Sequence, residues 1–144
     1  MIITVRNVID YLAGKPKKLF LIDSFGAILT AFFLFVVLRN FNEYFGMPKI
    51  LLTYLSVIAV CFCIYSTTCY FFLKNYWTLF ISIISIANLL YCILTMGLLI
   101  FYYPHLTIIG LTYFLLEIAI ICKLIYVELH VAATIKKSGM AESC

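Results

Sequence analysis

Four apolar runs, each long enough to cross a bilayer and each joined to the next by a short connection, leave this chain few ways to fold. They are Leu19 to Leu38, Ile50 to Leu73, Thr78 to Tyr103 and Leu106 to Val127. A helix of about 20 mainly apolar residues spans the hydrocarbon core. Its backbone polar groups find partners only within the helix itself. The connections "RNFNEYFGMPK", "KNYW" and "PH" include Pro48 and Pro104, which mark helix ends. Linkers this short force neighbouring helices to run antiparallel. The expected fold is all-α: one membrane domain over 19–128, a transmembrane four-helix bundle with antiparallel up-down connectivity. No separate soluble module has room beside it.

Composition agrees. Of 144 residues, 66% are hydrophobic and 11% charged, with mean hydropathy +1.16. Soluble domains run nearer half apolar and a quarter charged, and a chain this short cannot hide so much apolar surface from water. The lipid bilayer is therefore the first partner. The net charge of +4 does not point to nucleic acid. Lys15, Lys17 and Lys18 precede the first run, and Lys136 and Lys137 follow the last, which is the placement of basic residues at cytoplasmic span ends.

An even number of spans puts both termini on one side. That side carries Arg6, Lys15, Lys17, Lys18, Lys74, Lys136 and Lys137, against Arg39 and Lys49 on the other. The asymmetry predicts a multi-pass protein of the cell inner membrane with both termini cytoplasmic. Trp77 on the inner side, and Tyr44, Tyr102 and Tyr103 on the outer, suit the interfacial belts.

The opening segment 1–18, "MIITVRNVIDYLAGKPKK", lacks the long apolar core and cleavage site of a signal peptide. Ile2, Val5, Val8, Ile9 and Leu12 recur at helical spacing, and Gly14 then Pro16 suits a helix stop. A short interfacial helix on the inner surface is expected, with a frayed tail as the alternative. Residues 129–144 are expected to form a short cytoplasmic tail. Cys61, Cys63, Cys69, Cys92 and Cys122 all fall inside apolar runs, where cysteine behaves as a small hydrophobe, and only Cys144 is expected to be freely exposed.

Small and polar residues recur along each span with alternating steps of three and four. The rows are Asp23, Ala27, Thr30, Leu34, Val37; Thr53, Ser56, Val60, Cys63, Thr67, Tyr70; Ser85, Asn88, Cys92, Thr95, Leu99, Tyr102; and Gly110, Tyr113, Glu117, Ile120, Leu124, Val127. Lipid-facing stripes would be plain Leu, Ile and Phe. Such rows predict a bundle with a polar interior.

Within "FLLEIAIICKLIYVEL" two charges stand out, Glu117 and Lys123. Six residues turn about 240° around a helix, so each needs a partner elsewhere. Placing a charge in hydrocarbon costs at least ~2.5–3.5 kcal/mol. Lys123 and Asp23 lie at similar depth with opposite sign and form a candidate interhelical ion pair. The alternative is that Lys123 extends its stem to the inner headgroups. Glu117 is near the middle of its span, where Asn88, Tyr91 and Tyr113 are candidate polar neighbours. It either binds a proton or cation, or hydrogen-bonds Asn88 and simply joins the third helix to the fourth. In the outer loop, Arg39 and Glu43 are spaced as a local pair.

No HExxH, P-loop or CxxC motif occurs. His105 and His130 lie near opposite ends of a span, and Cys61-x-Cys63 points to two helix faces, so no metal site is expected. No mid-span histidine offers a haem ligand, no outer dithiol offers redox exchange, and no serine–histidine pair shares a depth. No cofactor and no enzymatic activity is expected, with chemistry on lipid or quinone a remote third possibility.

"LIDSFGAILTAFFLFVVLRNFNEYFGMPK" and "IANLLYCILT" resemble the small, functionally unassigned four-span membrane proteins of bacteria, over about Leu19 to Glu128. In size and span count the chain is also similar to the DoxX-like four-helix proteins. Neither resemblance carries residue roles to this sequence. Two functions fit: a small transport component or permease-like subunit using Glu117, or a non-catalytic accessory subunit of a larger membrane complex. Either accommodates a homo-oligomer.

Overall fold

The computed structural model describes residues 2–142, and among these every regular element is helical. Cys144 lies outside the described residues. Helix α1 is Ile2–Gly14. Helix α2, Pro16–Phe32, continues into a π-helical turn, Phe33–Leu38. A single turn α3, Asn42–Phe45, precedes α4, Lys49–Phe72. Helix α5, Trp77–Tyr102, ends in a 3-10 turn, Tyr103–His105, and α6 is Ile108–Glu142. Four segments are long and apolar enough to cross a membrane: Pro16–Leu38, Lys49–Phe72, Trp77–His105 and Ile108–Gly139. The fourth helix does not stop near Val127, as the fall in hydropathy suggested. It continues as one piece through the segment expected to be a tail, because no Gly or Pro interrupts Glu128 to Ser138.

Local chemistry sets the boundaries. Pro16 stands in the first turn of α2, where its missing N–H costs nothing, and Pro48 is the extended residue before α4. Thr107 caps α6: its Oγ1 accepts the Gly110 N–H at 3.1 Å and donates to the Tyr44 carbonyl. Here the loop after α2 is pressed against the start of α6. Gly46, at φ 76°, ends α3 in the left-handed conformation, and a Cβ on it would lie 2.0 Å from the His105 carbonyl oxygen. A Cβ on Gly110 would lie 2.3 Å from the Phe45 carbonyl oxygen, so this approach also needs glycine. Arg39 lies over the Phe35 ring, 4.8 Å from its centroid, and does not form the expected pair with the exposed Glu43.

Helix α2 packs along α4, and α5 along α6. Without water between helices, such contacts rest on close packing and hydrogen bonds. The first seam is polar: Ser24 Oγ meets Thr67 Oγ1 at 2.7 Å, and Ser56 Oγ donates to the Ala31 carbonyl at 3.3 Å. Between these two pairs run the Phe20–Trp77 and Phe62–Tyr91 ring contacts, at 6.2 and 6.0 Å, and a bond from Tyr65 O–H to the Phe80 carbonyl.

The interior rows hold best on α5, where Ser85, Asn88, Cys92, Thr95 and Leu99 are all buried. On α6 the expected row drifts off the interior, and Ile120 is exposed. The inward row there is Phe114, Ile118, Ile121, Ile125, Glu128 and Ala132. Its steps sum to 18 residues, five turns at 3.6 per turn; the expected row advanced one residue less over the same number of steps.

Helix α1 buries Ile9 and Leu12 against Leu19, Phe20, Val131 and Ala132, beneath the ends of α2 and α6. At the corner between α1 and α2, Lys18 Nζ donates to the Tyr11 hydroxyl, and Lys15 and Lys18 lie over the Tyr11 ring. The Lys18 hydrogen bond holds the Tyr11 phenol below its ordinary range.

Candidate functional site

Two buried acids occupy one face of α6. Glu117 and Glu128 are eleven residues apart, so about three turns bring them back to within ~20° of each other around the axis and separate them by ~16 Å along it. They are 8% and 0% exposed.

The Glu128 site is a polar junction of four helices. Ser85 Oγ of α5 donates to Glu128 Oε2 at 2.8 Å. Asp23 of α2, 4% exposed, adjoins the Glu128 carboxyl. Asn88 Nδ2 donates to Asp23 Oδ1 at 3.2 Å, and Ser66 Oγ of α4 donates to Asp23 Oδ2. Glu128 Oε1 finds no donor among the described residues. Two neighbouring buried carboxylates repel when both are charged, and a proton held between them would remove that repulsion. Ile81, Ile84, Leu19, Phe20 and Val131 form an apolar layer on this side of the molecule.

The Glu117 site is built differently. Glu117 lies nine residues into α6, about 14 Å along the helix and so near the middle of a ~30 Å hydrocarbon layer. Tyr91 O–H donates to Oε1 at 3.0 Å, while Oε2 is buried with no donor among the described residues. Beside it is a cavity of about 410 Å³. Asp23 and Asn88 border this cavity as well as Glu117, Tyr91 and Tyr113, so the two acid sites share one space. Its remaining wall is mainly apolar, with Phe33 and Phe62 contributing aromatic rings.

Of the residues singled out from the sequence, Glu117, Asn88, Tyr91 and Tyr113 all line this cavity. The hydrogen bonds are distributed otherwise than expected. Glu117 takes the Tyr91 hydroxyl, and Asn88 turns to Asp23. Asn88 and Tyr91 are three residues apart on α5, which aims one toward α2 and the other toward α6. The Asp23–Lys123 pair is not formed. Lys123 is exposed, because five residues place it about 140° around α6 from Glu128, on the outer face. Asp23 finds Ser66, Asn88 and Glu128 instead. Hydropathy does not mark Glu128 as a site, because it falls just beyond the hydropathy-defined end of the fourth run. Its eleven-residue spacing from Glu117, which returns to the same helix face, is the sequence signal that would have found it.

Cys61, Cys63, Cys69, Cys92 and Cys122 are free thiols. His130 Nδ1 lies 2.8 Å from the Tyr126 carbonyl of its own helix. Among the described residues, no three His, Cys, Asp or Glu side chains converge as metal ligands. Comparison with protein-family models, with curated proteins and with solved structures finds no match to this chain.

Proposed function

We propose that this protein is a small, multi-pass transport component of the inner membrane, in which Glu117 takes up and releases a proton or cation at the central cavity. In this reading the four spans run up and down with both termini in the cytoplasm, as the lysine and arginine asymmetry supports. Helix α1 then lies at the inner surface, where Lys15, Lys17 and Lys18 meet lipid headgroups.

One observation carries the proposal: a buried carboxyl oxygen at mid-depth has no donor and stands on the wall of a cavity. A group kept only to join helices is best served by full hydrogen bonding. A group that exchanges a proton or cation needs a free lone pair and room beside it. Asp23 and Asn88 border the same cavity, which therefore reaches the edge of the Glu128 junction.

The second reading, an accessory subunit of a larger membrane complex, is favoured by the shallow burial of the spans. Only 28% of the best apolar window of Pro16–Leu38, Lys49–Phe72 and Ile108–Gly139 is buried, which leaves broad faces for lipid or for other helices. Infrared difference spectroscopy of the protein in bilayers separates the two. The transport reading expects a carboxyl C=O band that changes with pH and disappears in Glu117→Gln, with helicity retained. A Glu117 band indifferent to pH, in a protein whose fold needs Glu117, would leave the accessory reading.

A further inference from the structure

Building on the reading of Glu117 as an exchangeable acid, we infer that the cavity binds a lipophilic organic cation that arrives from the membrane between α2 and α6. Three features of the cavity select this class. Its wall presents two acids, Asp23 and Glu117, and no basic side chain, so an anion would meet only repulsion. Around Glu117 the wall is apolar and aromatic, with Phe33, Phe62 and the Tyr91 ring, surfaces that hold an apolar body and attract a delocalised positive charge. The volume, about 410 Å³, lies within the range of small-molecule sites, ~300–1,000 Å³, and far exceeds the needs of a bare ion.

The route follows from the rim. Leu29 of α2 and Leu116 and Ile120 of α6 border the cavity while remaining 46%, 60% and 60% exposed. The cavity therefore reaches the apolar outer surface between these two helices, whose mutual contact is slight. An inorganic ion does not come through hydrocarbon, whereas an amphiphilic cation concentrates there. A lipid tail is the competing occupant. It would fill the space but leave Glu117 Oε2 without a partner, and a cationic head satisfies that oxygen.

Tetraphenylphosphonium is a suitable probe, with tetraphenylborate as a body of the same shape and opposite charge. Equilibrium dialysis of the full chain in bilayer discs should show saturable tetraphenylphosphonium binding, not displaced by tetraphenylborate. Glu117→Gln should weaken it by roughly tenfold or more, as expected for losing one desolvated charge contact. Gly26→Phe gives an independent arm. Gly26 borders the cavity, a Cβ there meets nothing within 4 Å, and a side chain in a helix interior restores propensity that glycine lacks. This variant should stay folded and lose binding by occlusion, with Glu117 in place.

Equal binding by the native protein and both variants, or equal binding of the borate, would overturn the inference and leave a lipid tail as the occupant. Infrared titration on the same samples keeps the two proposals apart. If Glu117 titrates and no phosphonium binds, the ligand class falls and the exchange role stands. If phosphonium binds and Glu117 does not titrate, the reverse holds.

Discussion

The two acid sites on α6 share a helix face but not a design. Around Glu128, side chains from α2, α4 and α5 converge: Ser85 donates to Glu128, Ser66 and Asn88 donate to the adjoining Asp23, and one Glu128 oxygen has no donor among the described residues. At Glu117 one tyrosine donates, one oxygen is left over, and the adjoining space is empty of side chains. Apolar surface alone does not drive helices together in lipid, so polar junctions help to specify which helices meet. The first site has the form of such a junction. At the second an equally unpaired oxygen stands beside open space, where a ligand or proton can complete the set. What lies beside the acid thus separates a joint from a site on a single helix: a second carboxyl adjoins Glu128, and a cavity adjoins Glu117.

Removing an acid tests the contrast most sharply. Asp23→Leu should orphan the Asn88 and Ser66 donors and cost about 2–5 kcal/mol. Glu117→Leu orphans only the Tyr91 hydroxyl, for about 1–2 kcal/mol. Reversible unfolding in mixed micelles measures both. A larger loss at Glu117 than at Asp23 would reverse the assignment of joint and site.

A single donor removed from each site gives a smaller effect in the same direction. Ser85→Ala removes the one hydroxyl that, among the described residues, donates to the fully buried Glu128 and should cost about 1–2 kcal/mol. Tyr91→Phe keeps its ring against Phe62 and removes the donor from Glu117, where the cavity lets the carboxyl reorient; about 0.5–1 kcal/mol is expected. In Tyr91→Phe the Glu117 infrared band should also move, since its one hydrogen bond among the described residues has gone. An unmoved band would mean that the Tyr91 bond does not orient the acid.

The four long apolar helices were legible in the sequence because hydropathy over 20 residues identifies segments able to cross a bilayer whatever the tertiary packing. Span positions agree closely except on α6. There hydropathy marks the end of the apolar run, while the helix, with nothing to break it, simply continues. Four of the polar cavity residues, Asn88, Tyr91, Tyr113 and Glu117, stand out in the sequence as polar groups at comparable depth, whereas Asp23 and Thr30 do not join them there. Their pairing was not legible. Which of two inward side chains meets α2 and which meets α6 depends on a rotation of tens of degrees, and a one-residue error in the α6 row is enough to miss it. The π-helical turn Phe33–Leu38, with Leu34 and Leu38 buried, adds a further shift on α2 that no pattern of apolar residues announced.

Lys123 gives the smallest predicted effect and the strictest check on the rotation of α6. It lies about 240° from Glu117 and about 140° from Glu128 around the helix, exposed, with no acidic partner among the described residues. Lys123→Gln should therefore change stability by no more than about 0.5 kcal/mol. Exchanging the two residues, Asp23→Lys with Lys123→Asp, should be worse than Asp23→Lys alone. The exchange leaves a lysine facing Ser66 and Asn88 and adds an acid on the lipid face, where no long stem carries it to the headgroups. Recovery of stability in the exchanged protein would show that the two positions do face each other. Helix α6 would then be turned by more than a third of a revolution, Glu128 would leave the junction, and Glu117 would face away from the cavity.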